Sequence, residues 1–353
     1  MTTIIISTLV GQRPQLHGGP VSELSHISIL LSNIPQTEDL LRFAATVESS
    51  GYERVWLAET IGIEAGAIGG AIAATTSLEV GTAIVPVYSR SPALLAMMAS
   101  SWSHIGNGRQ VNIGIGSGGQ RIIERWHGVD FTKPATTTRE TIAIMRQALA
   151  GDRTDIDGKM RRSNGFSLAS GPTDNVKIFV GGMGPVMVDL AAEQADGLIV
   201  TWLSPRVVEG FRATFNEAIT AHGRQHSDVK LVARAYVAVT DTPELAREEV
   251  RKEMVEYIIS PPYGRYFSSV GFDDEVQAVN AAFTARDRAG AVQAVSDRLL
   301  DDVLIVGTNG DEVADRLRAY VAAGADDVMI QPVPDYRGGN YQRTIEDVAR
   351  ALR

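Results

Sequence analysis

Cysteine is absent from the 353-residue chain. Its absence excludes disulfide bonds, thiolate nucleophiles, iron–sulfur clusters and cysteine-ligated zinc, and it is compatible with a reducing cytoplasm. Membrane-length apolar runs are absent too, and the N-terminal stretch MTTIIISTLVGQRPQLHGG lacks the basic segment that opens a signal peptide. We therefore predict a cytoplasmic protein that has no membrane partner.

The chain also lacks a basic excess and any metal-binding histidine motif. Its 33 lysines and arginines stand against 42 aspartates and glutamates, a net charge of −9. Nucleic acids bind basic surfaces, so none is expected as a partner. The six histidines form neither HxH nor HExxH spacing, so no metal site is predicted. With 44% hydrophobic residues, the composition is that of an ordinary globular protein, and an acidic cytoplasmic enzyme is the simplest interpretation.

Strand-like apolar runs alternate with amphipathic helical patterns along nearly the whole chain. The runs are almost continuous in isoleucine, valine and leucine, which is typical of parallel strands covered on both faces. Eight of them with intervening helices predict an α/β fold, a (β/α)8 TIM barrel, and an open doubly wound sheet is the alternative. The predicted strands span residues 26–31, 54–58, 78–85, 110–116, 177–181, 197–201, 231–239 and 327–331.

Two segments do not fit this repeat. Residues 1–24 form a predicted N-terminal extension, which leaves 25–353 as a single barrel domain. The sequence between residues 240 and 306 is polar and helical and contains no confident strand. We interpret the part at about 241–303 as extra helices and a loop, an insertion that covers the C-terminal face of the barrel.

Glycines follow the predicted strand at 110–116 in the run Gly116-Ser117-Gly118. Ligands of α/β proteins bind at the carboxyl ends of parallel strands. We therefore expect this backbone and the Ser117 hydroxyl to lie against the ring or the side chain of a cofactor. The alternative is a turn between strand and helix that holds no ligand.

A second glycine cluster, Gly181-Gly182-Met183-Gly184, follows the predicted strand at 177–181 and precedes a helix. Unobstructed backbone N–H groups at a helix N-terminus bind phosphate. The alternative is a tight turn that needs a positive φ. Thr201, at the end of the next predicted strand, is a candidate to hydrogen-bond a phosphate or the cofactor chain.

Five blocks of sequence stand in a fixed order along the chain. They are GYERVWLAET, VGTAIVPVYSRSP, GNGRQVNIGIGSGG, FVGGMGPVMVDLAAEQADGLIV and VSDRLLDDVLIVGTNGDEVADRLRAYVAAGADDVMIQP. In this order they resemble the bacterial luciferase-like family of flavin and deazaflavin oxidoreductases. The IGSGG and SDRLLDDVLIVGT segments are closer to the branch that depends on coenzyme F420, which includes proteins like methylenetetrahydromethanopterin reductase.

The resemblance implies a barrel whose pocket binds F420 or FMN. It implies a cis peptide bond between Ala83 and Ile84, in the bulge that ends the third strand and lies beneath the central ring. Ala83, Ile84 and Pro86 are accordingly expected to contact the cofactor. A homodimer built on the early barrel helices is also implied by the resemblance.

Two acid–base residues of related enzymes are missing from this chain. Deazaflavin sugar-phosphate dehydrogenases carry an acidic proton donor where this chain has Gly119, and a histidine where it has Thr60. Sugar-phosphate oxidation is therefore not expected. Glu59 remains as an ionisable group at a strand end, where it is a candidate, with Thr60 beside it, for proton transfer or cofactor binding. A salt-bridged loop residue is the alternative for Glu59.

These observations predict an F420-dependent oxidoreductase that transfers a hydride between the deazaflavin and an unidentified organic substrate. One alternative is an FMN-dependent luciferase-like monooxygenase. The other is a barrel that binds a flavin without catalysis, an alternative that the missing acid–base pair motivates.

Overall fold

The computed structural model describes residues 23–32, 34, 37–334 and 340–353. A 3-10 helix, Glu23–His26, leads into the first strand, and its Leu24 is buried in the core. The strands are β1 (Ile27–Leu31), β2 (Arg54–Leu57), β3 (Glu79–Pro86), β4 (Val111–Gly116), β5 (Asp155–Asp157), β6 (Arg162–Asn164), β7 (Val176–Gly181), β8 (Gly197–Thr201), β9 (Lys230–Val239), β10 (Leu304–Gly307) and β11 (Asp327–Pro332).

Fourteen α-helices lie in the described residues, together with a second 3-10 helix, His226–Asp228. They are α1 (Thr37–Ser49), α2 (Ala65–Thr75), α3 (Pro92–Ile105), α4 (Gln120–Arg125), α5 (Pro134–Leu149), α6 (Pro185–Gln194), α7 (Pro205–Ala221), α8 (Pro243–Ile258), α9 (Pro261–Ser269), α10 (Asp273–Thr284), α11 (Arg288–Gln293), α12 (Asp297–Val303), α13 (Gly310–Ala322) and α14 (Asn340–Ala351).

Eight parallel strands close into a barrel. Strands β1, β2, β3, β4, β7, β8, β9 and β11 pair in that order, and β11 returns to pair with β1, with Val328 opposite Ile27. The predicted TIM barrel is confirmed, and closure excludes the open doubly wound sheet. Each of the eight predicted strands agrees with a barrel strand to within one residue at either end.

Three short strands were not predicted from the sequence. Strand β10 runs parallel to the far half of β9, with Leu304 opposite Tyr236, so the expectation of no strand before residue 306 is wrong. The first half of the ten-residue β9 pairs with β8, and its second half projects past the barrel and leaves an edge for β10. The other two, β5 and β6, form a polar antiparallel hairpin that lacks an apolar pattern.

Proline marks the start of many helices. Helices α3, α5, α6, α7, α8 and α9 each begin with a proline in the first turn. Proline fits there because its fixed φ suits the helix and its missing N–H has no helical partner to lose. Since α3, α6, α7 and α8 directly follow barrel strands, these helices begin at the carboxyl ends of the strands, which we call the mouth.

Two sets of side chains form the barrel core. Side chains that point outward from the strands pack against the helices, and those that point inward fill the barrel around Trp56 and Phe179. These two rings meet edge to face, with centroids 5.2 Å apart. Glycine on adjacent strands makes room for them, because a Cβ at Gly197 would lie 2.3 Å from Phe179 and one at Gly81 would lie 2.5 Å from Trp56.

The segment between β9 and β10 consists of helices α8 to α12. Their apolar faces form a separate cluster that includes Trp202 and Tyr236 from the barrel, so the helices pack against the β8–β9 side of the mouth. Residues 1–22, most of the predicted extension, lie outside the described residues, and the extension stays a prediction. None of the helices described is both long and apolar enough to cross a membrane.

Candidate active site

The inward-facing positions at the mouth divide into two halves. Each of these positions lies two residues further along its strand than a residue of the barrel interior. Because side chains alternate along a strand, it also faces inward, at the carboxyl end. On one half lie small residues: Gly116 and Gly181 end β4 and β7, and Ala58 directly follows β2. On the other half, β8, β9 and β11 contribute the polar residues Thr201, Arg234 and Gln331.

The small half is built around the bulge in β3. The register between β3 and β4 shifts between Thr82 and Val85, and the peptide bond between Ala83 and Ile84 is cis, as predicted. The Ile84 side chain lies against two glycines of neighbouring strands. A Cβ at Gly116 would be 3.3 Å from Ile84 Cδ1, and one at Gly181 would be 2.7 Å from Ile84 Cγ2.

The loop after β4 continues this half of the mouth. Pro86 pairs with Gly116 in the β3–β4 register, and a Cβ at Gly118 would lie 3.3 Å from Pro86. Gly118 adopts a φ of +67°, a conformation that favours glycine. Ser117 is half-buried, and its hydroxyl donates to the Gly118 carbonyl oxygen at 3.3 Å. The structure thus brings Ile84, Pro86 and the 116–118 segment together.

The second glycine cluster forms the N-terminus of α6. Gly184 is the N-cap, and no side chain caps the first turn. None of its three glycines has a positive φ, so the tight-turn alternative does not account for them. Gly181 and Gly182 instead allow close packing, since a Cβ at Gly182 would lie 2.7 Å from Met187 Cβ. Met183 is half-buried beside the core, and Gly184 is exposed with nothing within 4 Å of a Cβ placed there.

Glu59 is held in an ion pair. Its carboxylate accepts a hydrogen bond from the Ala65 N–H at the start of α2, at 2.9 Å, and another from the Arg90 guanidinium. Arg90 also pairs with Glu64, which caps α2. Only 14% of the Glu59 side chain and 11% of the Arg90 side chain are exposed. These contacts favour the alternative in which Glu59 is a salt-bridged loop residue. Thr60, which follows it, is exposed.

A polar cluster on the other half of the mouth was missed in the sequence. Arg234 Nη1 donates to Tyr257 Oη at 3.4 Å, Nη2 pairs with Glu253 at 3.5 Å, and Nη2 also donates to Gln331. The Tyr236 hydroxyl donates to Glu253 at 2.9 Å. Helix α8, which carries Glu253 and Tyr257, is thereby tied to the barrel strands.

Burial shapes the protonation of this cluster. Burial raises the pKa of Tyr236 well above its usual value, and the neighbouring Arg234 opposes that rise, so the phenol is neutral. Burial acts to lower the pKa of Arg234, but Tyr236, Tyr257 and Glu253 raise it, so the guanidinium stays charged. Thr201, a predicted cofactor residue, lies opposite Arg234 in the β8–β9 register. An inward-facing arginine in the buried run LVARAYVAV was the signal available in the sequence.

A family model described as "Luciferase-like monooxygenase" matches residues 2–327. The chain belongs to this family. The sequence-based identification of the luciferase-like family is therefore confirmed.

Relatives and solved structures of this luciferase-like protein include F420-dependent enzymes. The 5,10-methylenetetrahydromethanopterin reductase of Archaeoglobus fulgidus is 29% identical over 260 residues, which cover 72% of this chain and 77% of the relative. The F420-dependent glucose-6-phosphate dehydrogenase of Mycolicibacterium fortuitum is 25% identical over 285 residues, 78% of this chain and 77% of the relative.

The fold is also that of a solved reductase. The structure of the coenzyme F420-dependent tetrahydromethanopterin reductase from Methanopyrus kandleri matches with a TM-score of 0.79 and 20% identity, covering 93% of this chain and 98% of that one. These relatives are oxidoreductases, in agreement with the enzyme class predicted from the sequence.

One group in the described part of this luciferase-like chain has the composition of a cation site. Asp189, Glu193 and His222 bring their ligand atoms within 4.8 Å of one another. His222 Nε2 already hydrogen-bonds Asp189 at 2.8 Å, and Glu193 pairs with Arg139. His222 caps the C-terminal end of α7, at the end of the barrel opposite the mouth, so the group takes no part in the candidate active site.

Proposed function

We propose that this protein is an oxidoreductase that uses coenzyme F420 to transfer a hydride to or from a small organic substrate at the barrel mouth. The observation that carries the proposal is the division of the mouth into a small half and a polar half. In the small half the Ile84 side chain packs directly on Gly116 and Gly181, and we propose that a flat ring lies against it. The polar half supplies groups that orient a substrate beside that ring.

The residues present fit a deazaflavin with a phosphate in its side chain. The first-turn N–H groups of α6 have no side-chain cap and lie directly after β7, next to Gly181. A helix N-terminus of this kind binds phosphate through its N–H groups and its dipole. We propose that Gly181, Gly182, Met183 and Gly184 hold the phosphate. The ring would lie on Ala83, Ile84, Pro86 and the run Gly116-Ser117-Gly118, with Thr201 beside the chain.

The bound deazaflavin would supply a carbon centre that donates or accepts the hydride. The protein's own contribution is orientation and exclusion of water. Ile84 is fixed between two glycines, so it presents a rigid floor. Tyr257 and Tyr263 of the helical insertion pack edge to face at 4.8 Å, and Tyr257 contacts Arg234 beneath, so the polar half is shielded from solvent.

Proton transfer at this site is proposed for Glu59 or Thr60. Glu59 would have to release Arg90 before its carboxylate could accept a proton, since that guanidinium occupies it. Gly119 and Thr60 stand where sugar-phosphate dehydrogenases carry their acid and their histidine. For that reason sugar phosphates are not proposed as substrates.

An FMN-dependent monooxygenase is the second candidate. The description of the family model, which names luciferase-like monooxygenases, favours it. FMN shares the flat tricyclic ring and the phosphate with F420, so the same residues would hold it. The cofactor is therefore the decisive difference between the two functions.

The test is a titration of the purified protein with oxidised and reduced F420 and with FMN, followed by absorbance and fluorescence. Preferential sub-micromolar binding of F420, on the order of −8 kcal/mol or better, is expected. Preference for FMN would transfer the assignment to the monooxygenase. Binding of neither would overturn the proposed function.

We also propose that the protein is a cytoplasmic homodimer that associates through α3. Leu94, Met97 and Ile105 are 46%, 48% and 46% exposed and recur at helical spacing on one face of α3. An exposed apolar stripe of this kind marks an interaction surface. Light scattering of the purified protein tests the dimer, and a monomeric mass at micromolar concentration would overturn it.

A further inference from the structure

Two buried N–H donors in the polar half of the mouth have no acceptor within the described part of the chain, where the Thr201 hydroxyl is also unpaired. The two N–H donors are Arg234 Nε and Trp202 Nε1. Each of these side chains can donate but cannot accept a hydrogen bond. Buried donors in proteins nearly always have a hydrogen-bond partner. Two buried N–H donors without one therefore indicate that a bound molecule supplies the acceptor.

Both donors belong to residues that contact the same tyrosine. The Trp202 ring stacks on Tyr236 with centroids 3.9 Å apart and an interplanar angle of 13°. The guanidinium carbon of Arg234 lies 4.7 Å from the centroid of the same ring. Tyr257 bridges the two, since its ring meets Trp202 at 5.1 Å and its oxygen accepts from Arg234. The donors therefore belong to a single cluster at the mouth.

The charge of this cluster is already balanced. Glu253 lies 3.5 Å from Arg234 Nη2 and accepts a hydrogen bond from the Tyr236 hydroxyl. A bound carboxylate or phosphate would compete with Glu253 for the guanidinium and place two negative charges in a desolvated site. An uncharged acceptor, such as a carbonyl or hydroxyl oxygen, avoids that cost.

We propose that Arg234 Nε–H and Trp202 Nε1–H bind an uncharged oxygen of the substrate, and that Glu253 sets the selectivity against anionic substrates. The identity of the ligand as substrate rests on the proposed function. Trp202 is suited to this task because its backbone is held in place: it adopts a φ of +63°, and its carbonyl oxygen accepts from Tyr266 Oη at 2.8 Å.

The test observes the two donors directly by nitrogen-15 NMR of the full chain. The indole N–H signal of Trp202 is assigned with W202F, and the Nε–H signal of Arg234 with R234K. The probes are cyclohexanone and cyclohexanecarboxylate, which share one ring and differ in charge. We expect both signals to move saturably with cyclohexanone and at least fivefold more weakly, by apparent affinity, with the carboxylate.

Glu253→Gln provides the selectivity test without removing a donor. The amide keeps an oxygen that accepts from Tyr236, but it loses the negative charge. We expect the preference for cyclohexanone over the carboxylate to fall at least fivefold in this variant. An unchanged preference would overturn the role given to Glu253.

Three further outcomes would contradict the inference. If neither probe moves the two signals at millimolar concentration, or if the donors show contacts only to a permanent water, the acceptor site does not exist. If F420 alone moves them, the acceptor is a carbonyl of the cofactor and the substrate assignment falls. Because F420 binding is followed separately through the Gly182 amide signal, failure of the proposed function is distinguished from failure of this inference.

Discussion

Ile84 and Gly181 are packed so closely that a single added carbon at residue 181 would come within 2.7 Å of Ile84 Cγ2. The two residues belong to different strands, β3 and β7, and meet because the β3 bulge turns Ile84 toward the barrel interior. The absence of a side chain at Gly181 thus determines where Ile84 lies. In the proposed site Ile84 is the floor beneath the ring, so this contact connects the packing of the barrel to cofactor affinity.

Gly181→Ala is expected to weaken F420 binding about tenfold or more, because overpacking costs about 1–3 kcal/mol and displaces Ile84. The measurement is the Kd for F420 by fluorescence. Gly210→Ala is the matched control, since a Cβ there meets nothing within 4 Å and the residue lies on α7, outside the proposed cofactor site. The double variant Gly181→Ala/Ile84→Leu removes the Cγ2 methyl that the added carbon meets, keeps an apolar side chain of equal size beneath the ring, and should regain affinity relative to Gly181→Ala; no recovery would show that this contact is not the cause.

Gly184→Asp tests the proposed phosphate site. An aspartate at the N-cap should stabilise α6 by only a few tenths of a kcal/mol, because glycine is itself a favourable N-cap residue. The same negative charge would repel a phosphate and occupy its N–H donors, so F420 affinity should fall roughly tenfold. Gly184→Asn is the control, because asparagine caps the helix without a charge. Equal affinity in the two variants would argue against a phosphate at the start of α6.

The barrel could be predicted from the sequence because its strands are buried on both faces and so form continuous apolar runs. The candidate glycines could be predicted because each follows such a run at a strand end. The Arg234 cluster could not, because its contacts join β9 to Glu253 on an insertion helix, and no local pattern encodes that pairing. Strand β10 could not be predicted for a similar reason. It pairs with an edge of β9 that is free only because β9 extends past β8.

Glu59→Gln tests whether the Glu59–Arg90 pair is structural. Glutamine keeps an acceptor for the Ala65 N–H but removes the charge that balances a nearly buried guanidinium. The free energy of unfolding should fall by roughly 1–3 kcal/mol, as expected when one member of a mostly buried ion pair is neutralised. Urea denaturation measures it.

The control for that experiment is Glu64→Gln, which touches the same arginine. The Glu64 side chain is 55% exposed, so solvent screens its charge and the loss should be smaller. An equal loss in the two variants would contradict the assignment of a structural role to Glu59 in particular.

Glu140 is expected to give the stability of the protein a pH dependence. Burial acts to raise its pKa, but hydrogen bonds from the N–H groups of Arg161, Met160 and Lys159 lower it below the usual value. A lowered pKa in the folded state means that the carboxylate stabilises the fold above about pH 4.5, and that this contribution is lost as the pH falls toward the folded-state value.

Glu140→Gln should therefore reduce stability by about 1–2 kcal/mol at pH 7, since a charged acceptor is lost. The difference from the unmodified protein should shrink as the pH falls below 4.5. Unfolding midpoints in urea between pH 3 and pH 7 measure both effects. A constant difference across that range would show that the three hydrogen bonds do not depend on the charge.

Met97→Glu tests the proposed dimer. Met97 lies between Leu94 and Ile105 on the exposed stripe of α3 and is 48% exposed in the single chain. A glutamate there would be desolvated twice in a symmetric interface, so the dimer should dissociate while the fold persists. Light scattering after size-exclusion chromatography should report half the mass of the unmodified protein.

Phe283→Glu is the matched control, because Phe283 is 40% exposed on α10, away from the stripe. Dissociation by Phe283→Glu instead would move the interface to the helical insertion.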